Sequence, residues 1–282
     1  MQAHETKGLE EWVAFLSQAD IPVLKQTERD LNVLHEDVEN INARDVASVI
    51  ARDPMMTVKL LRYLQSHKRN KQEHEVVQIE QALLMLGIGS FFNNLPARPL
   101  VEELLAGHTT SLINLLQVVR RSHRASHFAL DWAVSMRDMH FEEVRIAALL
   151  YDLAELLMWS FAPVEMLKIS AMQQHNKSMR SRSAQEEVLG FSIVDLQMAL
   201  VREWSLPRLL LTLMDNESAK QPRSCNVIFA VNLARHSAKG WEDAALPDDY
   251  KDIGKLLNIK MEDVIVMLGV EAGNVCDLNK PR

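Results

Sequence analysis

NARDVASVIARDPMMTVKLLRYLQS, residues 42–66, is the stretch that decides the fold class. Asn42 stands where a side-chain oxygen can accept from the N–H groups left over at a helix start, so it predicts a cap on ARDVASVIARD. Asp53 before Pro54 repeats the device, because the carboxylate caps and the proline's fixed φ suits the first helical turn. Two helices divided by an acidic-proline turn follow. The same alternation continues outward: Gly87, Pro96 to Pro99, Gly107, Pro163, Gly190, Pro207, Pro222, Pro247 and Gly269 punctuate runs of helix formers. That spacing predicts helices of about 8 to 25 residues. Ser183 with Glu186 three residues on has capping-box spacing and predicts another helix start. Period-two alternation is nearly absent and no repeat emerges, so the predicted fold is all-α.

Composition narrows the function classes. The chain has 282 residues, 48 % of them hydrophobic, and a mean hydropathy of −0.10, which suits a packed core rather than disorder. Its 31 Lys and Arg face 38 Asp and Glu, giving a formal charge of −7 and a pI near 5.8. An acidic total argues against nucleic-acid and anionic-membrane partners, which need a positive field. The longest run free of polar residues, 82–89, is far below the ~18 residues of a membrane span. MQAHETKGLEEW at the start has neither a basic region nor an apolar one, so no signal peptide and a cytoplasmic location are expected. Cys225 and Cys276 are too few for a disulfide scaffold or a four-Cys zinc site. Ten histidines leave metal chemistry as the open question.

Two helices look central. Residues 109–136 place Leu112, Leu115, Leu116, Val119, His123, Ser126, Leu130 and Ala133 on one stripe, with Arg120 and Arg124 on another face. Residues 141–161 are apolar on nearly every side, the pattern of one helix buried all round, yet they contain Asp152 and Glu155. A buried carboxylate needs a partner or a raised pKa, so Asp152 most needs an explanation. His123 and His127, four apart, could reach one ion, but a histidine on an apolar stripe is more often a hydrogen-bonded core residue. Histidines 4, 35, 67, 74, 108, 140, 175 and 236 are scattered, and no HExxH, HxH or His-Asp doublet occurs, so no metal is expected.

Other chemistries fare no better. Residues 43–64 have helix-turn-helix length, but the turn is Asp-Pro and the reading helix would be largely apolar. HKRNK (67–71) and MRSRS (179–183) read as solvated loops. GIGS (87–90) lacks the lysine of a phosphate loop, no G-x-S-x-G elbow is present, and Cys225 has no evident base. The fourteen methionines read mostly as core, with an adaptable surface as the alternative for Met55 and Met56.

IPVLKQTERDLNVLHE (21–36), residues 42–66 and VQIEQALLMLGIGSFFN (77–93) together resemble the HDOD domain family. RRSHRASHFA (120–129), AALLYDLAEL (147–156), EVLGFSIVDLQMALVREWSLP (187–207) and FAVNLARHSA (229–238) extend the resemblance over roughly 20 to 240. Asp53-Pro54, the Leu86-Gly87 stop and the Trp204-x-Leu-Pro207 ending are its most specific parts.

The resemblance implies an HD-like helical bundle, related to hydrolases that hold metal through histidines and aspartates. It implies a subdomain over 1–107, a helical core over 108–246 and closing helices over 247–282. Its metal positions fall on Arg121 (or, with a two-residue shift, His123), Tyr151-Asp152, Ile193, Asp215-Asn216 and Asn232. Asp152 alone keeps its ligand type. A di-metal hydrolase needs several anionic or imidazole ligands to bind the ions and activate water. The expectation is therefore a non-catalytic bacterial regulatory module, without cofactor, that binds another signalling protein. Arg121 would stand in for the ion and neutralise Asp152. Arg120, Arg121, His123 and Arg124 are candidates for ion pairs or for holding a small nucleotide. The alternatives are a divergent metal-dependent phosphohydrolase using His123, His127 and Asp152, and a nucleic-acid-binding regulator.

Overall fold

The computed structural model describes residues 7–67, 75–176, 178–215 and 220–270. His4, His74, Asn216, Cys276 and the basic positions 68–71 lie outside the described residues, as does the tail beyond 270. Among the described residues the fold is all helix, with no strand and one isolated parallel bridge between Val23 and Leu100.

The two decisive helices form as their caps dictate. Asn42 accepts from Arg44 N at 2.9 Å and Asp45 N at 3.1 Å, and Asp45 returns a bond to Asn42 N, closing a capping box on Ala43–Ile50. Asp53 caps Pro54–Ser66, with Pro54 in the first turn. Met55 and Met56 are fully buried, so they are core and not an adaptable surface. Gly87, at φ +83°, ends Ile79–Leu86 and starts Ile88–Asn94, a backbone conformation that side-chain-bearing residues rarely adopt.

Three sequence expectations need correction. Residues 141–161 are two helices, Phe141–Leu150 and Leu153–Phe161, divided by a turn at Tyr151 and Asp152. Both are buried over most positions, so hydrophobicity alone gave no mark of the break. The helix expected from Ser183 begins earlier, as Ser181–Leu189 with Arg180 at the cap, so 181–183 is helical rather than loop. Glu186 pairs instead with Arg182 at 2.8 Å. A capping box does operate one helix later, where Ser192 and Asp195 exchange bonds at the start of Ile193–Glu203. On the long helix Thr109–Ser135, the buried face is turned from the expected stripe: Leu115, Val119, Ser126 and Ala133 are buried, while Leu112, Leu116, His123 and Leu130 are half-buried. Small residues, Ser122, Ala125 and Ala129, occupy much of that buried face.

The chain divides into two compact units. The first runs to Val119 and resumes at Asp152–Leu211; the second comprises Arg120–Tyr151 and the chain from Thr212 onward. Residues 1–107 thus fall wholly in the first unit, 108–246 are shared, and 247–282 belong to the second. In the first unit Leu9–Gln18 and Leu153–Phe161 pack on Ile193–Glu203, and Ala43–Ile50 packs on Ile79–Leu86. In the second, Pro222–His236 packs on both Phe141–Leu150 and Leu246–Leu257, and the latter carries the short helix Met261–Met267. From Leu246 on, the described residues form two helices, Leu246–Leu257 and Met261–Met267.

Candidate functional site

In the first unit, Asp53 engages both of its carboxylate oxygens. Its Oδ1 accepts from Met55 N at 2.9 Å and Met56 N at 3.2 Å. Its Oδ2 accepts from Leu24 N and from the Thr27 hydroxyl, both at 2.9 Å. Burial pushes its carboxyl up from the ordinary value, and these four donors oppose that push. The residue joins the entry segment at 21–24 to the acidic-proline turn. Lys59, on the following helix and also buried, donates to Asp20 at 2.9 Å and to the carbonyls of Ile21 and Arg98. Arg62 donates to Ala19 O at 3.1 Å and lies over the ring of buried Trp204, 5.4 Å from its centroid. That contact gives the Trp204-x-Leu-Pro207 segment a structural role.

Asp152 occupies the N-cap position of Leu153–Phe161 and is 8 % exposed. Its backbone carbonyl accepts from Leu156 N at 3.1 Å, but its side chain makes no cap bond. Gln197 does that work from the neighbouring helix: its Oε1, buried, accepts from Ala154 N at 2.6 Å. Ile193 is 8 % exposed, and its N–H is held by Gln185 Oε1 at 2.9 Å.

The remaining candidates belong to the second unit. Arg120 is exposed, and Arg121, His123 and Arg124 are half-buried along the long helix, while His127 is exposed. Arg124 donates to Ser237 O at 3.2 Å and Ser237 Oγ at 2.8 Å, and its guanidinium lies 5.8 Å from the Phe128 ring centroid. It thereby ties the long helix to the carbonyl end of Pro222–His236, where a cation is favoured. Tyr151 ends Phe141–Leu150, Asn232 is half-buried within Pro222–His236, and Asp215 follows Arg208–Met214. Burial pushes the Cys225 thiol up, against a thiolate nucleophile.

Two further ties in this unit involve residues that the sequence reading did not select. Arg223 Nε donates to Asp138 Oδ2 at 2.6 Å. Burial pushes the Asp138 carboxyl up, but the Arg223 and His140 hydrogen bonds outweigh it, and the net direction is down. His236 Nδ1 and Asp249 Oδ2 lie 2.6 Å apart, joining the end of Pro222–His236 to the start of Leu246–Leu257. Burial holds the Asp249 carboxyl above its ordinary value against the pull of His236. Spacing could not have found these pairs, because each joins residues brought together only by helix packing. Among the described residues no group of three or more His, Cys, Asp or Glu side chains is placed to hold a metal ion. No single helix among them is long and apolar enough to cross a membrane.

The chain resembles solved structures in fold. A virulence factor from Campylobacter jejuni matches at 18 % identity and a TM-score of 0.65, over 92 % of this chain and 97 % of that one. The MmoQ response regulator from Methylococcus capsulatus matches at 16 % identity and a TM-score of 0.66, over 89 % of this chain and 99 % of that one. No curated relative matches. The HDOD domain profile matches residues 21–219, well over half of the chain. The match starts at the Ile21-Pro22 entry and takes in the Asp53-anchored turn and the Trp204 segment, and this chain is a member of the HDOD domain family.

Proposed function

We propose that this protein is a non-catalytic, cytoplasmic bacterial signal-transduction module that acts by binding another protein. One observation carries the reading: of the positions where the resemblance places the superfamily's metal ligands, Asp152 and Asp215 carry carboxylates, while Arg121, Tyr151, Ile193 and Asn232 supply no imidazole or carboxylate. Ile193 is a buried aliphatic residue, and even its backbone N–H is committed to Gln185. Arg121 brings a positive charge, Asn232 a neutral amide and Tyr151 a phenol. A metal centre that activates water needs several anionic or imidazole donors, and these residues do not fit one. The MmoQ relative's description as a response regulator supports a regulatory role. The net charge of −7 supports a protein partner over a nucleic acid.

Metal analysis of the purified protein, together with a phosphodiester substrate panel, tests this reading. The expected result is no stoichiometric transition metal and no turnover, including with Mn2+ added. Bound metal together with turnover that is lost in His123→Ala and Asp152→Ala would overturn it in favour of a divergent phosphohydrolase.

A further inference from the structure

Outside the positions considered above, the second unit carries a solvent-facing groove of about 610 Å3 between the helix Leu246–Leu257 and the start of Met261–Met267. Three lysines, Lys251, Lys255 and Lys260, line it, with Asp263 as the carboxylate among the lining residues. This sign runs against the chain as a whole, which is acidic. Lys255 pairs with Asp252 at 2.8 Å and Lys251 approaches Asp248 at 4.0 Å, but neither aspartate is part of the lining. These are exposed pairs in high dielectric, which leave the ammonium groups able to take another anion. Between the lysines stand Ile259 and Met261, each 38 % exposed, large apolar side chains that solvation does not favour.

The turn that forms the groove lies close against the helix. A Cβ on Gly254 would stand 2.9 Å from Ile259 O, so only glycine lets the turn lie this close to the helix. Ile259 N donates to Gly254 O at 3.0 Å, and Asn258 takes the left-handed conformation that makes the reversal. The close approach sets the backbone of the turn that carries Ile259 and Met261 against the helix that carries Lys251 and Lys255, and backbone placed before binding loses less entropy on association.

We propose that this groove is the docking surface for an acidic segment of a partner protein that also carries apolar side chains. The carboxylates would meet Lys251, Lys255 and Lys260, and an aliphatic or aromatic side chain would rest on Ile259 and Met261. The proposal rests on the reading of the chain as a protein-binding module and names the surface that module uses.

The test uses the full chain, 15N-labelled, and an array of short synthetic peptides in which Glu alternates with Leu, Ile or Phe at varied spacings. Matched peptides with Lys for Glu, and inorganic phosphate alone, are the controls. Saturable binding of acidic-apolar members is expected, shifting the amides of Gly254, Asn258, Ile259 and Lys260. Affinity should fall about tenfold or more in the Lys251→Glu, Lys255→Glu, Lys260→Glu triple variant and also in Met261→Asp. The side chains of Lys251 and Lys255 are 66 % and 71 % exposed, so neither belongs to the core, and an unchanged helical circular dichroism spectrum of the triple variant checks that it is folded. The docking surface is overturned if no acidic member binds, if the shifts fall elsewhere, or if the triple variant binds equally. It is also overturned if phosphate alone moves the same amides as far, which marks a small-anion site. Metal-dependent turnover overturns the non-catalytic reading instead, so the two failures are distinguishable.

Discussion

The two units hold their helices by different polar chemistry. In the first, Asp53, Lys59 and Gln197 are each almost fully buried, and most of their partners are backbone groups. In the second, buried Asn226 also donates to a backbone group, Ala129 O at 3.0 Å, but three further ties reach between helices with one member of each partly exposed: Arg124 to Ser237, Arg223 to Asp138 and His236 to Asp249. A buried acceptor surrounded by backbone donors is costly to remove, because the donors left behind cannot turn to water. A half-exposed pair is solvated once broken and is screened by salt while intact. Local resistance in the first unit should therefore depend on a few irreplaceable buried groups, and in the second on Asn226 together with several modest ties, of which Arg223–Asp138 and His236–Asp249 respond to pH and ionic strength.

The strongest way to break this contrast is Asp53→Ala. It orphans three backbone N–H groups and a hydroxyl and removes a helix cap, so a loss of about 3–4 kcal/mol is expected by urea denaturation. Asp53→Asn keeps an acceptor and should lose roughly half as much; a negligible loss in both variants would remove the first unit's main anchor. Next in size is Gln197→Leu, which leaves Ala154 N without its buried acceptor and should cost about 1–3 kcal/mol. Amide hydrogen exchange should then show faster exchange concentrated in Leu153–Phe161. Uniform acceleration across the chain would mean that Gln197 does not act as that helix's cap.

What the sequence disclosed follows the same division. Asn42 and Asp53 announce themselves because a cap and the N–H groups it serves are neighbours in sequence. Asp53's other partners, Leu24 and Thr27, lie 29 and 26 residues away, and no local pattern points to them. Asp152 was legible as a buried carboxylate in an apolar run, but not as a residue whose capping task is done by Gln197, 43 residues beyond its helix's Ala154. The break at Tyr151 and Asp152 was hidden because two consecutive buried helices show the same hydrophobicity as one. The groove beside Leu246–Leu257 depends on Gly254 meeting Ile259 O, a backbone approach that no hydrophobic pattern encodes.

The smallest expected effect belongs to the Arg223–Asp138 pair and bears most directly on the second unit's half of the contrast. Arg223→Met should cost about 0.5–1 kcal/mol at neutral pH, discounted for solvent because the arginine side chain is 41 % exposed. The Asp138 carboxyl is held below its ordinary value, so its folded form binds protons less readily than its unfolded form. Stability from the pair is then fully present above the unfolded value, near pH 4, and is lost as pH falls through the lower folded value. Asp249, whose carboxyl is raised, works in the opposite sense, gaining stability as it becomes protonated. The measurement is therefore the difference between wild type and Arg223→Met across pH 2 to 7, from which Asp249 cancels because it is present in both. That difference should shrink below about pH 4 and also shrink at high salt. A difference that stays constant through both titrations would make Arg223 a packing residue, and would move this part of the second unit toward the first unit's way of holding its helices.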